Sequence, residues 1–496
     1  MLESSASGML ITNRNMLFAL LTTSILILSY IPVSQNSYVG NDSFFHVRYS
    51  TQASIFDSTL PWMYFTNYRE FFPNHHLLFH QILKVFTFSD PYIGAKCYVL
   101  FTYSALSIAF YKLLSSLHVR FPEIWTVILF VSSTNFLVRI SMIRVQAISI
   151  VFMLIYFYAL LSEKKFLLFI ISVLYTWLYF AFIYIFYYLF IWFLLNKDRS
   201  RFKLVLCSLF GIALGTIFNP YFPNLYTFIF DFIYQRVTNT SYLPMGAEWY
   251  HTNITSFFYH NFVFVFVNIA LVFYIFKKND KRLSKESLFF FFIMIFYFIL
   301  FIKSSRFIEY LVPVSTIFCA LLFNLHASKK IETILRPCYK YCFILVVFVL
   351  LLIKAYQFES LSRYNSFPFE RFKSASEWIQ DNSLETEIIY NVSWSDFPQL
   401  FYWNNKNYYI CGLDPNFLEE YDKKLSKIYL DIMSGEITYP GHYIRNVFGC
   451  RLAIVSKRVH DYYNFKEFIA VASNDPLMLQ VYEDDYAIIY RVNDFK

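Results

Sequence analysis

The stretch GNDSFFHVRY, residues 40–49, sets Asp42, His46 and Arg48 among aromatic side chains just beyond the first long apolar run. An acid and an imidazole four residues apart stand one helical turn apart on the same face. Such a carboxylate can serve as a general base, or it can cap a helix beginning near Ser43 by accepting from the first backbone N–H groups. The cap accounts for Asp42 and leaves His46 without a reason. A second cluster, YREFFPNHHLLFHQ, gathers His75, His76 and His80 within six residues, in a chain with 10 histidines. A metal reading pairs His76 with His80 at i, i+4 and completes the shell with Asp42 or Glu70. The competing reading is an interfacial helix with its polar heads turned to water. No residue is assigned as a metal ligand on this ground.

Cations placed where loops should be poor in them carry information. Arg139 and Arg144 lie in FLVRISMIRVQ, and Lys303 and Arg306 lie in IKSSRFIEY. A guanidinium donates two parallel hydrogen bonds to phosphate, so these residues suit an anionic, phosphate-bearing lipid head; snorkelling to lipid headgroups is the alternative. Glu248 in PMGAEWYH, and Trp394 with Asp396 in SWSDFPQLFYW, suit contacts to a sugar or an acceptor hydroxyl. Ser-Asp before Pro398 is also good turn chemistry.

The elements that must hold these residues are membrane helices. The 496 residues are 57% hydrophobic and only 15% charged, with 61 Phe and 42 Tyr. Soluble domains carry about 25% charge, and this chain repeats apolar runs near the length of a membrane crossing. The net charge of +8 does not point to nucleic acid, because Lys and Arg cluster in short loops as the positive-inside rule requires. Spans are expected at 15–33, 91–113, 122–138, 145–161, 202–219, 259–276, 286–302, 308–325 and 338–356. The first is read as a retained helix and not a signal peptide. The run 166–195 is too long for one crossing and has basic loops at both ends, so it is read as two short helices broken near Leu178–Ala181.

The expected fold is thus an all-α polytopic membrane bundle of about 11 transmembrane helices, residues 1–356, with the N-terminus inside. Outer loops 34–90 and 220–258 carry interfacial helices. Residues 357–496 read as a small extracytoplasmic α/β domain, with strands in EIIYNVSW, RLAIVSKR and YAIIYRV and helices in SASEWIQDN and NFLEEYDKKLSKIYLDIMSG. Cys411 and Cys450 lie in this tail and could pair in an oxidising compartment.

The arrangement resembles the GT-C superfamily of integral-membrane glycosyltransferases, which includes the oligosaccharyltransferase catalytic subunit and protein O-mannosyltransferases. GNDSFFHVR is similar to the family's acidic motif in the first outer loop, and SWSDFPQLFYWNN is distantly similar to the oligosaccharyltransferase Trp-Trp-Asp-Tyr-Gly motif. Only Trp394 and Asp396 of that second motif are kept, so acceptor-peptide recognition is not implied. The resemblance implies inverting sugar transfer from a polyprenyl-phosphate-linked donor to an unidentified glycan, lipid or protein acceptor. Asp42 is then the general base, assisted by His46. Arg306, Arg139, Arg144 and Lys303 receive the donor phosphate, and His75, His76, Glu248, Trp394 and Asp396 contact sugar or acceptor. The second acidic pair of metal-dependent members is not found, so no cofactor is assigned and a divalent cation, Mg2+ or Mn2+, stays open. A bacterial inner membrane with the tail in the periplasm is expected. The alternative function is a transporter or flippase of a lipid-linked or anionic substrate. Ionisable residues gathered in one cavity favour the transferase; a path through the midplane favours transport.

Overall fold

In the computed structural model, residues 2–52, 54, 59–196, 198–238, 246–250, 253–278, 283–326, 337–457 and 465–494 are described. The chain opens with α1 (Leu2–Ser34), α2 (Asp42–Gln52), α3 (Leu77–Thr87) and α4 (Pro91–Ser116), followed by α5 (Pro122–Ser132), α6 (Thr134–Ser141) and α7 (Val145–Leu161). Five described helices are long and apolar enough to cross a membrane: Asn15–Ser34, Pro91–Ser116, Lys285–Lys303, Ser305–Leu325 and Ile344–Tyr364. Large apolar side chains such as Phe190, Phe266, Phe273 and Ile299 stand exposed on this bundle, where only a lipid solvent makes them inexpensive. The chain is a multi-pass membrane protein.

Two breaks position the site. The expected break in 166–195 is present: the helix Lys165–Leu178 stops at extended Tyr179, and a short 3-10 turn, Phe180–Ile183, leads into the helix Tyr184–Leu195. The expected single span at 122–138 is not. It bends by 87° between α5 and α6, because Ser133 adopts an extended backbone and its hydroxyl caps the Phe136 N–H at 3.0 Å. A Ser-Ser-Thr sequence inside an apolar run supplies a new helix N-terminus as readily as it supplies mid-helix residues. The expected span 338–356 also shifts, since its helix runs from Pro337 to Tyr364, past the expected domain boundary.

The tail folds onto a mixed five-stranded sheet of β1 (Ile388–Asn391), β2 (Tyr408–Tyr409), β3 (Leu452–Ser456), β4 (Met478–Glu483) and β5 (Ala487–Val492). Its order is β2-β1-β3-β5-β4, with β1 parallel to β2 and β3, and β5 antiparallel to β3 and β4. The three expected strands and both helical regions are present; β2 and β4 were not anticipated. Cys411 and Cys450 are buried free thiols, so the pairing considered from sequence is not made.

Tail and bundle share one hydrophobic core that runs from Leu28 and Tyr103 to Phe397 and Ile489. The tail helix Phe397–Trp403 packs on α2, with the Phe45 ring 5.6 Å from Phe401 and 6.2 Å from Phe397. The approach to α2 is tied from the other side by buried Lys96, whose ammonium donates to the carbonyls of Pro32 at 3.0 Å and Gln35 at 2.9 Å. Gly40 then turns the chain into α2 at φ +79°, and a Cβ there would meet Met142 Cγ at 3.0 Å. Positive φ costs an L-residue roughly 1–2 kcal/mol. Gly40→Ala is therefore expected to lower stability by about that amount and to loosen α2, read as a lower melting temperature in detergent.

Candidate functional site

Between the bundle and the tail lies a cavity of about 430 Å³. Asp42 lines it, at the first turn of α2. Its carboxylate does not cap the helix as the simpler sequence reading had it; Oδ2 meets Arg144 at 3.0 Å, with the side chain 34% exposed. The bend at Ser133 sends α6 across the bundle end, and Arg139 near its C-terminus and Arg144 at the start of α7 both come to Glu248. Arg139 Nη1 donates to Glu248 Oε2 at 2.6 Å and its Nε to Glu309 Oε2 at 3.0 Å. Arg144 grips Glu248 with both terminal nitrogens, at 2.7 and 3.1 Å. Arg306 completes the set, 3.8 Å from Glu248, 3.4 Å from the Tyr179 hydroxyl, and stacked 4.3 Å above Trp249.

Three guanidinium groups thus face three carboxylates, Asp42, Glu248 and Glu309. The sequence suggested a positive nest; the structure balances it. Charges this enclosed persist only when paired and hydrogen-bonded. Burial pushes the Asp42 carboxyl upward, with Arg144 and Arg306 opposing and Glu248 reinforcing the shift. Burial would also raise Glu248, yet Arg144, Arg139 and Arg306 together hold it well below the usual carboxylate range. Two acids in one cavity are driven in opposite directions, which is how a site separates a proton acceptor from a fixed counter-charge.

Most residues singled out from sequence converge here: Asp42, His46, His75, His76, Arg139, Arg144, Glu248, Arg306, Trp394 and Asp396 all line the cavity. Lys303 does not; it is exposed at the end of the helix Lys285–Lys303. Asp396 reaches the wall with its carboxylate held by Arg371 at 2.9 Å, in a pair that is 5% exposed on both sides. Arg371 also bonds Ser456 at 2.6 Å, so this pair fastens the tail sheet to the cavity. Glu309 and Arg371 were missed from sequence. Their signal was available, since Glu309 sits in an apolar helix, where an ionised residue is costly unless it has a partner or a function.

The histidines are not turned to water. His46 is 7% and His80 1% exposed, and burial lowers His75 to about 3. Glu70 is remote from them in character, 87% exposed beside Arg69. His46, His76 and His80 form a group, although no metal ligand was assigned from sequence. A hard Mg2+ or Mn2+ wants several oxygen donors. Asp42, Glu248 and Glu309 are all engaged by arginines, so the described residues do not fit that ion.

The fold, a polytopic helical bundle with broken helices and a small terminal sheet, has counterparts among solved structures. Three solved structures share it. The apo oligosaccharyltransferase of Archaeoglobus fulgidus superposes with a TM-score of 0.64 at 13% identity, over 89% of this chain and 69% of that one. ArnT from Cupriavidus metallidurans, bound to undecaprenyl phosphate, gives 0.57 at 13% identity over 95% and 97%. The mycobacterial arabinofuranosyltransferase AftD gives 0.60 at 12% identity, over 97% of this chain and 42% of that one. No protein-family model and no curated protein matches the sequence.

Proposed function

We propose that this protein is a membrane glycosyltransferase that moves a sugar from a polyprenyl-phosphate-linked donor to an acceptor hydroxyl on the outer face, with Asp42 as general base. The observation that carries this reading is the cavity itself. It sets a carboxylate with a raised pKa opposite a cluster of arginines. Solved structures of this fold were obtained with undecaprenyl phosphate and with a dolichol-phosphate, and a lipid phosphate has the charge that such arginines take.

In this reading Asp42 accepts the acceptor hydroxyl's proton as that oxygen attacks the anomeric carbon, with inversion and oxocarbenium character in the transition state. The lipid phosphate departs, and the charge growing on its oxygen needs cations. Arg139 and Arg144 are committed to carboxylates at 2.6–3.1 Å, whereas Arg306 is 3.8 Å from Glu248 and 3.4 Å from the Tyr179 hydroxyl, with its face on Trp249. Arg306 is accordingly the phosphate clamp. Trp394 and His75, which also line the cavity, would flank sugar or acceptor. With the bent pair Pro122–Ser132 and Thr134–Ser141 as one crossing, and Val145–Leu161, Lys165–Leu178, Phe180–Leu195, Arg199–Ile217 and Ile254–Ala270 crossing beside the five long spans, the count is the eleven that puts the tail outside, in a bacterial periplasm. That the ionisable groups gather in one cavity favours a transferase over a transporter.

The test is incubation of membranes with labelled polyprenyl-phosphate sugars, comparing the wild type with Asp42→Asn. Arg306→Ala is expected to raise the KM for donor by roughly 10- to 100-fold, the worth of one charged hydrogen bond, with folding unchanged. An unaltered donor KM removes Arg306 from the role.

A further inference from the structure

His46, His76 and His80 each bring one ring nitrogen to within 4.8 Å of the others. α2 supplies His46, one turn beyond Asp42, while the entry and first turn of α3 supply the other two. Their hydrogen bonds fix the tautomer of His80. The backbone N–H of His76, which can only donate, points at Asn74 Oδ1 at 3.1 Å, so that atom is the carbonyl oxygen. The same oxygen lies 3.0 Å from His80 Nδ1, so His80 carries its proton on Nδ1 and leaves Nε2 bare. That bare nitrogen faces His46 Nδ1 at 3.0 Å. Without an ion that nitrogen accepts from His46 Nδ1–H; one ring nitrogen anchored on an oxygen and the other unprotonated and aimed at a neighbouring ligand is how metal-ligating histidines are oriented.

We infer that His46, His76 and His80 form a binding site for a zinc-class divalent cation, with its fourth position open to the cavity that Asp42 lines. Three protein ligands with a position left for water or substrate is the ligand count of an open zinc site. An all-imidazole set selects zinc, cobalt or nickel over Mg2+ and Mn2+. Ligands about 2.0–2.1 Å from a tetrahedral zinc lie roughly 3.3 Å apart, so the rings need draw in by no more than about 1.5 Å. The site would also tie α2 to α3 and so stiffen the helix that carries the acid.

The test uses the full chain purified in detergent without a polyhistidine tag, stripped with chelator and dialysed against Zn2+ or Co2+. One equivalent of bound metal by mass spectrometry is expected, together with the intense visible bands of tetrahedral Co2+. His46→Gln or His80→Gln should abolish both signals. Should either misfold, His76→Gln, at the least buried of the three, makes the same test. Asn74→Ala should weaken binding by about 10- to 100-fold while leaving every ligand in place, and Asp42→Asn should keep the full equivalent. Substoichiometric metal at micromolar concentration in the wild type overturns the proposal, as does undiminished binding in the histidine variants. Loss of metal in Asp42→Asn would place the ion on the acid instead. Metal is read without turnover, so a negative result here leaves the transferase reading standing, and an inactive protein can still bind the ion.

Discussion

Asp42→Asn is expected to cut sugar transfer by about two to four orders of magnitude, the contribution of a positioned general base, while expression, insertion and thermal stability stay near wild type. The amide keeps the shape of the carboxylate and can still meet Arg144 through its oxygen, so the cavity wall is preserved. What is lost is proton affinity. The same geometry gives a sign for the pH dependence. Burial raises the Asp42 carboxyl above its ordinary value, with Arg144 pulling it back and Glu248 pushing it further. A base works only when deprotonated, so activity should fall as pH drops through this raised pKa, and at a higher pH than an exposed aspartate would give. Wild-type rates in Asp42→Asn, measured in proteoliposomes with labelled donor, would remove the assignment.

Much of this arrangement could be read from residue order, for a physical reason. A membrane charges heavily for each ion, so the few charges outside the short basic loops were already a short catalogue of the cavity lining. Asp42, the Arg139–Arg144 stretch, Glu248 and Arg306 lie far apart in sequence, and all came to one cavity. The break at Tyr179 was legible because thirty apolar residues between two basic loops cannot be one crossing. The bend at Ser133 was not, since the residues around it average out as apolar and one hydroxyl decides the backbone. Pairing was the other blind spot. Nothing in the order of residues says that Glu248 would engage three arginines, or that His46 would meet His80 across 34 positions. Lys303 does not line the cavity, since a cation at a helix end can carry its ammonium to the surface on a long stem.

The second large effect follows from that pairing. Glu248→Gln takes away the carboxylate that both Arg139 and Arg144 grip at 2.6–3.1 Å, an acid less exposed than Asp42 (21% against 34%) and held at that range by two arginines where Asp42 meets one. Removing one partner of a buried ionic network costs on the order of 3 kcal/mol, because the remaining charges keep their desolvation penalty and lose its compensation. A lower melting temperature is therefore expected. Chemistry should change in a separable way. Glu248 raises the Asp42 pKa by its charge and occupies the terminal nitrogens of Arg144. Without it Arg144 turns more fully toward Asp42, which becomes a weaker base. The acid limb of the pH–rate profile should move to lower pH while the plateau rate falls, a combination that mere unfolding cannot produce. A destabilised variant whose profile stays in place would mean that Glu248 only braces the arginines and does not set the basicity of Asp42.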